Sequence, residues 1–247
     1  MRRIIGIITG VAILALMVGA SYLIINNPTP AETPEGEHDY SQFDYKVITN
    51  MAEKTDYGDT NPDSIVEPNA LTGNLPDKII GDANKAKIII YEYADYACSH
   101  CAEMNTVIKK MVDKYDGKVA VVYRGFLLKG YPNNIEAASA ANAAAIQGYW
   151  EKYKNLVYSD QATWFYLTGD EVVPYFGELF VQASDGNGDL DKFYADMGSE
   201  SVAKKLAFDH AMGEKVDITG TPTFRINGEK ISGADIETFV EDLVKNS

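Results

Sequence analysis

Cysteine is almost missing from this chain, whose 247 residues hold only Cys98 and Cys101. A domain stapled by several disulfides is thereby excluded, and a pair spaced so closely has to be explained locally. Histidine is nearly as scarce, with His38, His100 and His210 alone. Reading the cysteines as half of a zinc site would require two further Cys or His ligands from that small supply. Cations are short as well: 22 lysines and arginines stand against 36 aspartates and glutamates, a formal net charge of −14. This balance argues against nucleic acid as a partner, because phosphate contacts draw mainly on Lys and Arg. No internal repeat is found. What the sequence does have is apolar content, 46% of its residues, enough to build the core of one ample domain with appendages or of two small domains.

The apolar residues are unevenly spread. After Arg2 and Arg3, the run from Ile4 to Ile25 carries no charged residue. As a helix it is roughly 33 Å long, about the thickness of a bilayer's hydrocarbon core. Residues 1–25 are therefore expected to form a transmembrane signal anchor. Basic residues before it and an acidic chain after it place the N-terminus in the cytoplasm and the rest outside. The alternative is a cleaved signal peptide, with Val18, Gly19 and Ala20 as the cleavage site before Ser21; both readings export the domain. Residues 26–76 are rich in Pro, Asp, Glu, Asn and Thr and read as an acidic polar linker with one short helix between Ser41 and Lys54.

From 77 to 247 the pattern is that of an α/β domain. Lys87 to Tyr93, KIIIYEY, is a short run of the kind that fills a strand buried on both faces, and Val119 to Tyr123 is a second. Between them Met104, Val107, Ile108, Met111, Val112 and Tyr115 recur at helical spacing, giving a βαβ unit. A helical insertion follows over about 132–213, with a long helix predicted from Asn134 to about Tyr158 and others around 171–182, 190–197 and 200–212. Thr223 to Ile226 is extended, Asn227 and Gly228 suit a hairpin turn, and a last helix spans Ala234 to Lys245. Asp185, Asn187, Asp189 and Asp191 alternate like a calcium loop, but Leu190 stands where Gly is required and no Glu closes the loop, so a turn and a helix start are expected. Tyr149, Trp150, Tyr153, Trp164, Phe165 and Tyr166 are read as core and cap of the insertion.

The chemistry lies in Cys98-Ser99-His100-Cys101, between a predicted strand and the start of a predicted helix. Unpaired N–H groups and the macrodipole at a helix N-terminus favour negative charge, so the thiolate of Cys98 should be stabilised below the ordinary thiol pKa of about 8.5. Cys98 is the expected attacking sulfur and Cys101, one turn further on the apolar stripe, the resolving thiol. His100 between them is expected to stabilise the thiolate further, which makes the disulfide more oxidising.

Three features together, CSHC after IIIYEYADYA, the helical insertion, and Thr219 to Phe224 as TGTPTF, resemble the bacterial DsbA-like thiol-disulfide oxidoreductases of the thioredoxin superfamily. The resemblance covers about Ile80 to Val244. It implies a thioredoxin-like fold with a helical insertion, here preceded by the transmembrane helix and polar linker, and a redox-active disulfide between Cys98 and Cys101. It also implies that Pro222 is cis and faces the cysteines, with Thr221 offering backbone hydrogen bonds to an extended substrate segment; the alternative is an ordinary trans turn proline. The resemblance places Glu92 beneath the active site as a buried carboxylate relaying the proton of Cys101; alternatively it points to a solvated edge or pairs with a lysine. Asp95 and Tyr96 fit the pattern without an assigned role.

The activity so implied is a protein disulfide oxidoreductase that donates its Cys98–Cys101 disulfide to exported unfolded or thiol-containing proteins. Reoxidation by a quinone-linked membrane partner of the DsbB or VKOR kind is implied, with no bound cofactor, metal or nucleic acid. Ser99 departs from the proline found after the first cysteine in many such proteins, which bears on the redox potential. The alternatives are a reductase or isomerase of the same fold and a noncatalytic thioredoxin-like interaction module.

Overall fold

The computed structural model describes residues 44–246. The predicted anchor lies outside these residues; among the described ones no helix is long and apolar enough to cross a membrane. The first helix, α1 (Tyr45–Lys54), is capped by the Asp44 carboxylate, which accepts from Lys46 N at 2.7 Å. There the expectation of a solvated linker to residue 76 needs correction, because α1 buries Ile48 and Ala52 and packs on a later helix, α8 (Glu200–Glu214). The stretch that follows is held by polar contacts. Arg124 donates to the carbonyls of Pro62 and Ser64 at 2.9 and 2.7 Å, and Arg225 forms a bidentate pair with Asp63. Composition could not reveal this, since the partners belong to the distant domain.

The strands β1 (Lys78–Ile80), β2 (Ile88–Ala94), β3 (Val119–Gly125), β4 (Thr223–Ile226) and β5 (Glu229–Ile231) form one sheet in the order β1-β3-β2-β4-β5. Only β2 and β3 are parallel; the other pairs are antiparallel. The β2–β3 connection is α2 (Ser99–Lys114), so the βαβ unit read from the apolar runs is present. Its two strands are buried almost throughout, as parallel strands covered on both faces must be. Asn227 and Gly228, both at positive φ, turn β4 into β5 in the manner of a type I′ hairpin. The chain ends in α9 (Ile236–Lys245).

Between β3 and β4 lies the helical insertion: α3 (Asn134–Ile146), α4 (Trp150–Ser159), the single turn α5 (Gln161–Trp164), α6 (Val172–Ala183), α7 (Leu190–Met197) and α8. The long helix predicted over 134–158 is two helices, because Gly148 adopts φ +82° and ends the first; only glycine enters that region without strain. Asp189 caps α7 by accepting from Lys192 N, the helix start expected there. Trp150, Tyr153 and Trp164 are core, whereas Tyr166 is exposed.

Because side chains alternate across a strand, the sheet separates two chemistries. Tyr91 and Arg124 face α8, with the guanidinium over the rings of Tyr91 and Phe208. On that side lies a fully buried ionic cluster. Asp77 accepts from Lys205 at 2.7 Å and Arg124 at 3.1 Å; Asp209 accepts from Lys205 at 2.7 Å and Lys78 at 3.5 Å. Burial alone would raise the Asp77 pKa, but Lys205 and Arg124 outweigh it and bring it down to about 2. The opposite face carries Glu92, whose neighbours in register are Tyr123 on β3 and Phe224 on β4.

Candidate active site

Cys98 is the N-cap of α2, extended at φ −82° and ψ 120°, and its carbonyl accepts the first helical bond, from Ala102 N. The turn that presents it is tied by Asp95, a role the sequence did not disclose. Its carboxylate accepts from Ala97 N at 2.8 Å, Leu128 N at 2.7 Å and Asn134 Nδ2 at 2.8 Å, while its carbonyl accepts from Cys98 N. Burial pushes the Asp95 carboxyl up to about 6 against these donors.

Both cysteines are free thiols. Cys98 is more enclosed than an exposed sulfur would be, at 3% accessibility, because the 221–222 loop covers it. The Thr221–Pro222 peptide is cis, and Cys98 Sγ donates to the Thr221 carbonyl at 3.3 Å. The Thr221 hydroxyl is buried beside both sulfurs. The Cys98 pKa falls to about 5: the Cys101 thiol hydrogen bond is the largest cause, burial opposes it, and Thr221 and the backbone N–H groups of Cys101 and His100 add to it. The helix terminus thus contributes as expected, but less than the neighbouring thiol. His100 contributes its amide, and its side chain is exposed. Burial, and then the proximity of Cys98, drives the Cys101 thiol strongly upward. One sulfur is set to ionise and the other to hold its proton, the division of labour that exchange between two thiols requires.

Glu92 is 3% exposed in the layer between the sheet and α4. Burial pushes its carboxyl up to about 7, and Lys154 is the counter-charge that restrains the rise. Lys154, also buried, donates to Asn105 at 2.6 Å, and Asn105 stands one helical turn beyond Cys101. The sequence signal for Lys154 was its spacing on α4 with Trp150 and Tyr158, a stripe on which a lysine must find partners. The Tyr123 and Tyr158 hydroxyls, 3.0 Å apart, and Tyr96, which accepts from Trp150 Nε1, complete this layer. A carboxyl with a raised pKa destabilises the fold only where it is ionised. Glu92→Gln is therefore expected to raise stability by up to about 3 kcal/mol at pH 8, less whatever Lys154 loses, with the gain vanishing below about pH 4.5. Urea unfolding at the two pH values checks this.

A CxxC at a strand-to-helix junction, with its first sulfur in contact with a cis X-Pro loop, is an arrangement suited to thiol-disulfide exchange. A family model described as thioredoxin matches residues 74–245, and the chain belongs to that family. Among solved structures it is similar to a thioredoxin-like oxidoreductase from Silicibacter pomeroyi (TM-score 0.53, 22% identity, covering 71% of this chain and 96% of that one). BdbD from Bacillus subtilis in its oxidised form matches with TM-score 0.57 and 20% identity over 73% of this chain and 96% of that one. The thiol-disulfide exchange protein alpha-DsbA2 from Wolbachia pipientis matches with TM-score 0.55 and 18% identity, over 68% and 87%. At these identities the likeness is one of fold. A curated relative, the Na(+)/H(+) antiporter NhaA 3 of Salinispora tropica, is 30% identical over 151 residues, 60% of this chain and 21% of that protein. The chain thus spans about a fifth of that antiporter's length.

Proposed function

We propose that this protein is a membrane-anchored, extracytoplasmic disulfide donor acting on exported proteins. The observation that carries the reading is the opposed tuning of the two sulfurs, Cys98 down to about 5 and Cys101 strongly up. A stabilised Cys98 thiolate favours the reduced form of the enzyme and makes its disulfide ready to leave. A client thiolate attacks Cys98 Sγ, the Cys98–Cys101 bond breaks, and Cys101 departs as a thiolate that takes up a proton, with Glu92 as its relay. A second client thiolate then attacks the client sulfur of the mixed disulfide and releases Cys98 as a thiolate. The client is oxidised by two electrons and the enzyme reduced by two. Thr221 and Pro222 hold the client segment in this reading.

Turnover needs an oxidant, assigned to a quinone-linked membrane partner of the DsbB or VKOR kind. The charge-free run 4–25 supports the anchor, and tethering raises the effective concentration of such a partner. The rival is a reductase or isomerase built on the same site. Equilibration of the full chain with glutathione separates them: the donor reading expects a reduction potential well above about −200 mV. A value near −270 mV, like that of thioredoxin, would reverse the direction of traffic.

A further inference from the structure

Beside the two sulfurs, a groove of about 430 Å³ opens between the first turns of α2 and the 221–222 loop, lined by His100, Glu103, Met104, Thr221, Pro222 and Gly233. Its walls differ in kind. Met104 and Pro222 are apolar and stand on either side of Gly233, where an added Cβ would lie 3.7 Å from Met104 Sδ and 3.8 Å from Pro222 Cγ. Gly233 is not in the left-handed region, so its backbone does not demand glycine; the missing side chain is what leaves the slot open. Glu103 is exposed and, among the described residues, makes no ion pair. The lining contains no lysine or arginine. An apolar slot with an unpaired carboxylate on its rim complements a side chain with a hydrocarbon stem and a cationic head, which is the chemistry of lysine and arginine.

We infer that this groove selects client segments carrying a basic residue beside the reacting cysteine, Glu103 receiving the charge and Gly233 leaving room for the stem. The inference rests on the donor reading above and adds the substrate class. The stem lies between Met104 and Pro222 while the client backbone runs along Thr221, so charge recognition and exchange occur at the same loop.

The test uses the oxidised full chain and unstructured cysteine peptides that differ only in having Arg, Gln or Glu next to the cysteine. Rates of mixed-disulfide formation are divided by the rate with dithiothreitol, a small neutral thiol, for each protein variant. The Arg peptide is expected to react about threefold to fivefold faster than the Gln peptide, and the Glu peptide more slowly than either. The preference should shrink with added salt. Glu103→Gln is expected to erase it and Glu103→Lys to invert it. Gly233→Met, which fills the slot, should bring the Arg peptide down to the Gln level, while Gly233→Ala, whose Cβ meets only ordinary contacts, should keep much of the preference and serves as the folded control. An Arg preference undiminished in Glu103→Gln, or intact in Gly233→Met, overturns the inference, as does a wild-type chain that treats all three peptides alike while reacting with dithiothreitol. Failure to react with any thiol, dithiothreitol included, would instead remove the donor reading beneath it.

Discussion

Cys98→Ser is expected to bring thiol-disulfide exchange down to the uncatalysed level, whereas Cys101→Ser, which cannot form the donor disulfide, retains only the attack of Cys98 on a client disulfide, the reverse of the donor reaction, and stalls there. In the second variant the Cys98 thiolate still attacks a client disulfide and expels one client thiolate. The mixed disulfide then persists, because the hydroxyl that replaces the resolving thiol cannot attack it. Non-reducing electrophoresis with mass analysis should show a covalent adduct on Cys98 in Cys101→Ser and none in Cys98→Ser. A second consequence follows from the hydrogen bonds. The Cys101 thiol is the largest cause lowering the Cys98 pKa, so Cys101→Ser should raise that pKa from about 5 unless the serine hydroxyl replaces the lost donor fully. Cys101→Ala, which has no donor, should raise it further. Adducts on both cysteines with equal ease would contradict the assigned order of attack.

The largest expected effect on stability lies on the other side of the sheet. Asp77→Ala leaves Arg124 and Lys205, both fully buried, facing each other with one carboxylate fewer. Removing one partner from a buried ionic cluster costs about 3–5 kcal/mol, because the remaining charge stays desolvated. The exposed pair Lys152–Asp185, at the same 2.7 Å as Lys205–Asp77, is worth under about 1 kcal/mol by contrast. Burial, not distance, decides between them. The urea midpoint should therefore fall steeply for Asp77→Ala and hardly move for Lys152→Ala, which removes the exposed pair from an ordinary helical position. The pH dependence has a definite sign: with the Asp77 pKa depressed to about 2, its contribution is complete above about pH 4 and is lost as the pH falls through 2. Equal effects of the two substitutions would remove the cluster from the account of stability.

The parts of this fold legible in the sequence are those governed by local pattern. The runs at 87–93 and 119–123 and the 3.6-residue stripe between them point to a buried βαβ unit, which is present with strands at 88–94 and 119–125, and Asn227-Gly228 marks its turn by conformational preference. The break at Gly148 was hidden because the alanine-rich pattern on one side and the aromatic stripe on the other share one period. The short helix expected between Ser41 and Lys54 is present, but the docking of residues 44–76 was not legible: α1 packs on the distant α8 and residues 62–64 are held by Arg124 and Arg225, partners that no property of the segment itself predicts. The candidate site divides in the same way. Cys98 and Cys101 were marked by their position between strand and helix, whereas the cis geometry at Pro222 came from family resemblance. Asp95 and Lys154 had to await the structure, since their partners Leu128, Asn134 and Asn105 lie 33, 39 and 49 residues away.

The measurement that bears most directly on the central claim is the pH profile of alkylation of the reduced protein by iodoacetamide, with the modified cysteine identified by mass analysis. The account predicts that Cys98 is modified first, with a midpoint near pH 5, and that Cys101 stays unmodified through neutral pH. A midpoint near the ordinary thiol value of about 8.5, or modification of Cys101 ahead of Cys98, would contradict it.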